Sequence, residues 1–267
     1  MPVIETVPSH ASVVVIGGGV MGCSVLHHLA KLGISDAVLV ERNQLTSGTT
    51  WHSAAQVRAL RSTRNMTELI RYSIELYASL EQETGQATGW SNKGSLSIAT
   101  SEDRLTHIKR QESLANLFGV EASSISKDEA AELWPLMNVD DVIGAVWSPG
   151  DGRVSPSDLC AALVKAAKSR GAKIFEDTGV EGIVTEGGRV VAVETSRGKI
   201  QTDAVAICTG LWSREAAEMA GTIAPVWPCE HYYLLTKPLE GITGNMPTPS
   251  AHETHLYIRV TSRGVLG

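Results

Sequence analysis

Gly17, Gly19 and Gly22 stand at G-x-G-x-x-G spacing in this 267-residue chain. The β-branched run Val13–Ile16 precedes them, and an apolar stretch, Val20–Leu32, follows and stops at Gly33. A strand, a glycine turn and a helix in that order make a dinucleotide cradle. Gly17 permits the tight turn, Gly19 lets backbone approach a pyrophosphate, and Gly22 lets helix and strand pack closely. The helix start offers unpaired N–H groups and the positive end of the helix dipole to phosphates. Glu41 closes the next apolar run, Ala37–Val40, where its carboxylate can accept hydrogen bonds from ribose hydroxyls. Fingerprint and glutamate together do not separate NAD from FAD. Their place at the extreme N-terminus leans towards FAD.

The segment Ser47–Ala55 is small and polar, with one tryptophan, Trp51, and one histidine, His52. Such a loop can wrap a flavin with backbone amides and hydroxyls. A neutral imidazole is a competent nucleophile towards an activated flavin methyl group. On residue chemistry alone, a surface histidine is the alternative. A third segment, Ala204–Gly210, is an apolar strand ending in Thr-Gly, which can lay backbone against the phosphate side of a cofactor or simply end in a turn.

These residues need a scaffold, and the pattern supplies one. Val13–Ile16, Val20–Leu32 and Ala37–Val40 form a βαβ opening. Asn43–Arg64 reads as a loop or broken helix. Asn65 with Glu68 signals a helix start, with an apolar stripe through Ile70, Ile74 and Tyr77 to Gly85. Gly94–Thr100 alternates as a strand with Leu96 and Ile98 on one face. Ser101 caps a helix reaching Phe118, and Ser126 with Glu129 makes a capping box for a short helix that Pro135 ends. Val142–Trp147 is a strand. Ser155 and Pro156 open a helix to Arg170. Lys173–Glu176 is a strand, and Gly187–Gly188 turns a hairpin between Gly182–Glu186 and Arg189–Thr195. Lys199–Cys208 supplies one or two strands, Leu211–Ala220 a helix, and His231–Thr236 and His255–Val260 two more strands.

Composition narrows the function classes. A net charge of −6 with 43% hydrophobic and 19% charged residues is ordinary globular composition and argues against a nucleic-acid or anionic-membrane surface. The uncharged run Val13–Ala30 holds four glycines and two histidines, so it reads as strand, turn and helix rather than a membrane span. Met1–Ala11 lacks the basic start of a signal peptide. Cys23, Cys160, Cys208 and Cys229 form no CxxC pair, and free thiols in the cytoplasm are the expectation; no metal site is expected.

The run LTSGTTWHSA (Leu45–Ala54) resembles the sarcosine and dimethylglycine dehydrogenase family, within the D-amino-acid-oxidase-like flavoproteins. ETGQATGW (Glu83–Trp90), LWPLMNVDD (Leu133–Asp141), PGDGRVSP (Pro149–Pro156) and PCEHYYLLT (Pro228–Thr236) are similar to it too, so the resemblance runs along nearly the whole chain. It implies FAD, held covalently through His52. It implies FAD contacts by Val20, Met21, Glu41 and Arg42, by Gly48, Thr49, Thr50, Trp51, His52, Ser53, Ala54, Ala55 and Gln56, and by Val180 and Trp212; Gly210 joins them from the Thr-Gly strand end. Where Ala55 stands the family motif has glycine, and the extra methyl group puts the local loop geometry in question. The implied fold class is α/β: a Rossmann-like FAD-binding domain interleaved with an α+β substrate domain, incomplete at the C-terminus. Residues 1–64 and 148–224 would form the FAD-binding domain, and 65–147 and 225–267 the substrate domain.

The implied reaction is oxidation of the N-methyl group of a small amino acid such as sarcosine or dimethylglycine. A hydride equivalent passes to the flavin, and the iminium hydrolyses to formaldehyde and the demethylated amine. An electron acceptor, oxygen or an electron-transfer protein, completes the cycle. His231 and Tyr257 stand at the positions matching the family's active-site histidine and tyrosine. Arg259, two residues on, shares a strand face with Tyr257 and can meet a substrate carboxylate. Packing residues on strands are the alternative for both His231 and Tyr257. Arg58, Arg61 and Arg64 form another basic set, read preferentially as a solvated helix face. From Ala251 the sequence departs from the family, with His255 at a usually aromatic position. The family continues beyond Gly267, so a truncated, inactive FAD-binding fragment, or one piece of a split enzyme with a complementary chain, is the second expectation.

Overall fold

The structure is a computed structural model and describes residues 6–261 and 264–266. Of the segment Met1–Ala11, residues 1–5 lie outside them. In chain order the elements begin β1 (Val13–Ile16), α1 (Val20–Lys31), β2 (Val38–Val40), β3 (Gln56–Val57), α2 (Arg64–Thr84), β4 (Ser95–Ala99) and α3 (Glu102–Leu117). Next come β5 (Ser123–Ile125), α4 (Lys127–Leu133), β6 (Gly144–Ser148), β7 (Gly152–Arg153), α5 (Pro156–Lys168), β8 (Lys173–Phe175), β9 (Val180–Glu186) and β10 (Arg189–Thr195). The chain closes with β11 (Gly198–Gln201), β12 (Ala204–Ile207), α6 (Ser213–Met219), β13 (Thr248–Ala251), β14 (Leu256–Tyr257), β15 (Arg259–Thr261) and β16 (Gly264–Leu266).

The elements fall into two compact units. Unit 1 comprises residues 1–53, 80–88 and 156–230; unit 2 comprises 54–79, 89–155 and 231–267. The expected crossings were 64/65, 147/148 and 224/225; the units also divide α2, whose last turn falls in unit 1.

Unit 1 is built on a parallel sheet in the order β12-β1-β2-β8. Alternation along the strands explains its layers. Val14, Ile16, Val38 and Val40 point to one face and pack with Ile183, Val193 and Ile200 of the antiparallel sheet β11-β10-β9. Val15 and Leu39 point to the other face and pack with Leu26 and Ala30 of α1 and Ala167 of α5. Leu26 and Leu39 are fully buried, each stabilising the fold by about 1.5–3 kcal/mol relative to exposure. The sheet therefore presents the C-terminal ends of β1, β2 and β12 at one edge, where the glycine turn, Glu41 and Thr209 emerge.

Unit 2 holds a mixed sheet in the order β14-β13-β4-β6-β5. Leu96 and Ile98 share a core with Trp134, Val142, Met246 and Val260, in line with the alternation expected in β4. Ala99 and Val146 pack on the other side with Ile108 and Ala115 of α3. The two-stranded ladder β3-β7 is pinned by Asp151. Its carboxylate accepts from the Ala59 amide at 2.8 Å and the Ser95 hydroxyl at 2.6 Å, while burial raises its pKa.

Two of the capping signals held. Ser101 accepts from the Arg104 amide, and Ser126 with Glu129 forms the full capping box. Other expectations need correction. α2 begins at Arg64, and Thr63 rather than Asn65 supplies the capping oxygen, to the Met66 amide. The Leu211–Ala220 helix is a 3-10 turn, Gly210–Trp212, followed by α6. The run His231–Thr236 forms no strand. Tyr232 is 80% and Leu234 69% exposed, and a β-prone run becomes a strand only beside a partner that buries it. The expected strand His255–Val260 breaks at Ile258 into β14 and β15, because β14 pairs with β13 and β15 with β16.

Candidate functional site

At the strand ends of unit 1 a cleft of about 340 Å³ opens around the glycine turn. Gly17 adopts φ +107°, and a Cβ there would lie 2.6 Å from the Cys208 carbonyl oxygen, so only glycine fits between β1 and β12. A Cβ on Gly22 would lie 1.9 Å from the Gly17 carbonyl oxygen, which brings α1 against the turn. A Cβ on Gly19 would meet only the Thr50 hydroxyl, at 2.9 Å, so this backbone faces the cleft.

Glu41 sits on the floor. One carboxylate oxygen accepts from the Gly18 amide at 2.7 Å and the other from the Asn43 amide at 2.9 Å. The Val20 amide, one of the unpaired donors of α1, donates to Thr50 Oγ1 at 3.0 Å. Arg42 lies over the Trp212 ring, 4.1 Å from its centroid, a cation–π contact that shapes the far wall. The Leu45 amide donates to Glu176 at 2.6 Å, which fastens the loop that brings Gly48, Thr49 and Thr50 to the helix start.

Of the residues expected to touch FAD, Gly17, Gly19, Val20, Met21, Glu41, Arg42, Gly48, Thr49, Thr50, Val180, Gly210 and Trp212 line this cleft. Trp51, His52, Ser53, Ala54, Ala55 and Gln56 are not among its lining residues, and Gly22 stands behind it. His52 ends a 3-10 turn, Thr50–His52; its exposed ring lies 3.6 Å from the Trp51 ring between centroids. Ala55 holds φ +51°, the left-handed region that favours glycine. The methyl group at this position is accommodated by backbone strain. Thr178, Thr209 and Glu215 also line the cleft and were not foreseen. Thr209 was visible as part of a strand ending in Thr-Gly; nothing local marks Thr178 or Glu215.

A profile of the FAD dependent oxidoreductase family (DAO) matches residues 12–267. The chain belongs to that family. The solved structure of L-proline dehydrogenase from P. horikoshii superposes with a TM-score of 0.89 at 30% identity, over 97% of this chain and 69% of that one. Mitochondrial sarcosine dehydrogenase of Mus musculus is 43% identical over 262 residues, covering 96% of this chain and 28% of that protein. The 4-methylaminobutanoate oxidase (formaldehyde-forming) of Paenarthrobacter nicotinovorans is 35% identical over 255 residues, 96% of this chain and 31% of that protein. The chain thus spans under a third of these curated relatives. The D-amino-acid-oxidase-like α/β fold expected from the sequence is the fold observed.

The cleft fits the family's cofactor: it pairs a glycine turn that excludes side chains with a helix N-terminus and an acidic residue at the second strand. Among the described residues no cluster of His, Cys, Asp and Glu suits a metal, and no helix is long and apolar enough to cross a membrane.

The three residues expected at the substrate lie in unit 2. His231 Nε2 and Tyr257 Oη are 2.8 Å apart, so two residues 26 positions apart in sequence form a hydrogen-bonded pair. Arg259 donates from Nη1 to the Val154 carbonyl at 3.1 Å. The solvated helix face expected of Arg58, Arg61 and Arg64 is overturned for the first two, which precede α2. Arg58 is part-buried, donating to Ser250 Oγ at 2.9 Å and the Thr248 carbonyl at 3.4 Å, and burial lowers its pKa.

Proposed function

We propose that this chain binds FAD in the unit 1 cleft and that its protein oxidises the N-methyl group of a small amino acid. The observation that carries the first part is the cleft itself, with Gly17, Gly19, Glu41 and the open end of α1 along one wall. The relatives' printed names carry the second: sarcosine and 4-methylaminobutanoate are both N-methyl amines bearing a carboxylate.

FAD would supply the acceptor for a hydride equivalent from the N-methyl carbon, with the iminium hydrolysing to formaldehyde. The chain's own residues bind and orient. The first turn of α1 would face the pyrophosphate with its positive end, and Glu41 would accept from ribose hydroxyls. His52 would hold the flavin through a covalent bond, a role its exposed position at the end of a 3-10 turn supports. His231 takes up or gives the amine proton, with Tyr257 holding the imidazole. Arg259 meets the substrate carboxylate.

The test uses the purified full chain. Yellow colour that survives acid precipitation supports the His52 bond; flavin released into the acid supernatant sinks it. Bleaching on anaerobic addition of sarcosine or dimethylglycine supports turnover. A second reading, a flavin-binding piece that needs a complementary chain for turnover, is favoured by the exposed run Tyr232–Leu235. Bound flavin that stays oxidised with every N-methyl amine tried would favour it.

A further inference from the structure

Unit 2 contains two half-buried arginines without a counter-ion among the described residues. Arg153 ends β7, and its Nη1 and Nη2 donate to the Met246 and Gly244 carbonyls at 3.2 and 2.8 Å. Arg259 donates to the carbonyl of Val154, the residue next to Arg153, at 3.1 Å. Its Nε is buried and has no hydrogen-bond partner among the described residues. The two segments are tied together from both sides. Arg153 pairs with Gln56 across the β3-β7 ladder, and the Gln56 amide donates at 3.0 Å to the carbonyl of Ile258, the neighbour of Arg259.

No carboxylate of the described residues forms a salt bridge with either arginine. Burial lowers the pKa of both, and Arg153 lowers that of Arg259 further by like-charge repulsion. Arginine stays charged in proteins, so two half-buried cations on neighbouring segments have carbonyl acceptors only. An anion between them would relieve the repulsion.

We propose that Arg153 and Arg259 together form a receptor for one carboxylate, that of the amino-acid substrate. The inference rests on the proposed function for the source of the carboxylate and extends it. Arg259 does not act alone, and the determinant of specificity for amino acids over plain amines includes Arg153. A planar carboxylate matches paired guanidinium forks better than a spherical ion does.

Isothermal titration calorimetry of the full chain with methoxyacetate, which keeps the carboxylate and replaces the amine by an ether, tests it. Its methyl ester and chloride serve as controls. The wild type is expected to bind methoxyacetate and not the ester. Arg153→Gln and Arg259→Gln are each expected to weaken binding by tenfold or more, with Arg153→Lys in between. Flavin content, read from absorbance, is expected to be the same in all. Equal binding of ester and carboxylate, chloride as tight as the carboxylate, or glutamine variants that bind like the wild type would each overturn the proposal. The ester comparison is made on the wild type, so it decides even where a variant fails to fold. Carboxylate binding by flavin-free protein would sustain the receptor while the FAD reading failed. Bound flavin without carboxylate binding would do the reverse.

Discussion

The hydroxyl of Thr50 accepts the backbone hydrogen bond of Val20, at 3.0 Å across thirty residues, and so occupies a donor at the open end of α1. That makes Thr50 a cap supplied from a distant loop rather than from the residue preceding the helix. Gly19 stands at the N-cap position and has no side chain to do it.

Thr50→Val keeps the shape and deletes the acceptor. Loss of a capping oxygen costs about 1 kcal/mol, and thermal unfolding of the flavin-free chain is expected to shift down accordingly. FAD affinity, measured by fluorescence titration, is expected to fall as well, because the loop that meets the helix start is loosened. An unchanged melting temperature would mean that the hydrogen bond contributes nothing to stability.

Ala55→Gly is expected to stabilise the protein. Ala55 holds φ +51°, where a Cβ is strained and glycine is not. Strain relief exceeds the added freedom of the unfolded chain, for a net gain of about 0.5–1 kcal/mol. Calorimetry would show a rise of roughly 1–3 °C. A fall in melting temperature would contradict the strain argument.

His27 gives the chain an acid sensitivity. It is fully buried in α1, and neither ring nitrogen has a hydrogen-bond partner among the described residues. Burial, then His28, pushes its pKa from 6.5 down to about 4, with Arg170 and Lys31 adding to the shift and Glu83 opposing it. The folded state therefore keeps the ring neutral where the unfolded chain takes up a proton. Stability is full above pH 6.5 and is lost as the pH falls from 6.5 through 4. The loss reaches roughly 3 kcal/mol at most. His27→Leu is expected to flatten the denaturation profile in that window. A variant with the same acid limb as the wild type would show that other groups control it.

Tyr257→Phe removes the 2.8 Å contact with His231 Nε2. Under the proposed function, flavin content stays constant while kcat falls about tenfold, less than the roughly 10²–10⁴-fold of a lost proton-transfer group, because Tyr257 holds the imidazole rather than moves the proton. The pH profile of flavin reduction is expected to shift with it. Intact kcat and pH profile would reduce the pair to packing.

Much of the scaffold was legible because its signals are local. The capping box of Ser126 and Glu129 closes within one helical turn, and Gly187–Gly188 turns a hairpin whose strands adjoin in sequence. The strand expected at His231–Thr236 failed for the converse reason. Its residues have β-forming side chains, but strand formation is decided by a neighbour along the whole run, and no strand of the described residues spans it. Arg58 was misread similarly: its neighbours in sequence suggest a basic helix face, whereas its partners, Thr248 and Ser250, lie some 190 residues on.

The sequence by itself determined the dinucleotide turn, since Gly17 and Gly22 are demanded by backbone geometry within six residues of each other. Spacing and residue type sufficed there because the constraint is steric and local. Only the tertiary structure decided that Thr50 caps α1, that Arg42 stacks on Trp212, and that Arg259 reaches the Val154 carbonyl beside Arg153. Each of those relationships depends on closing a long loop of chain, and no periodicity in the intervening residues records which two ends meet.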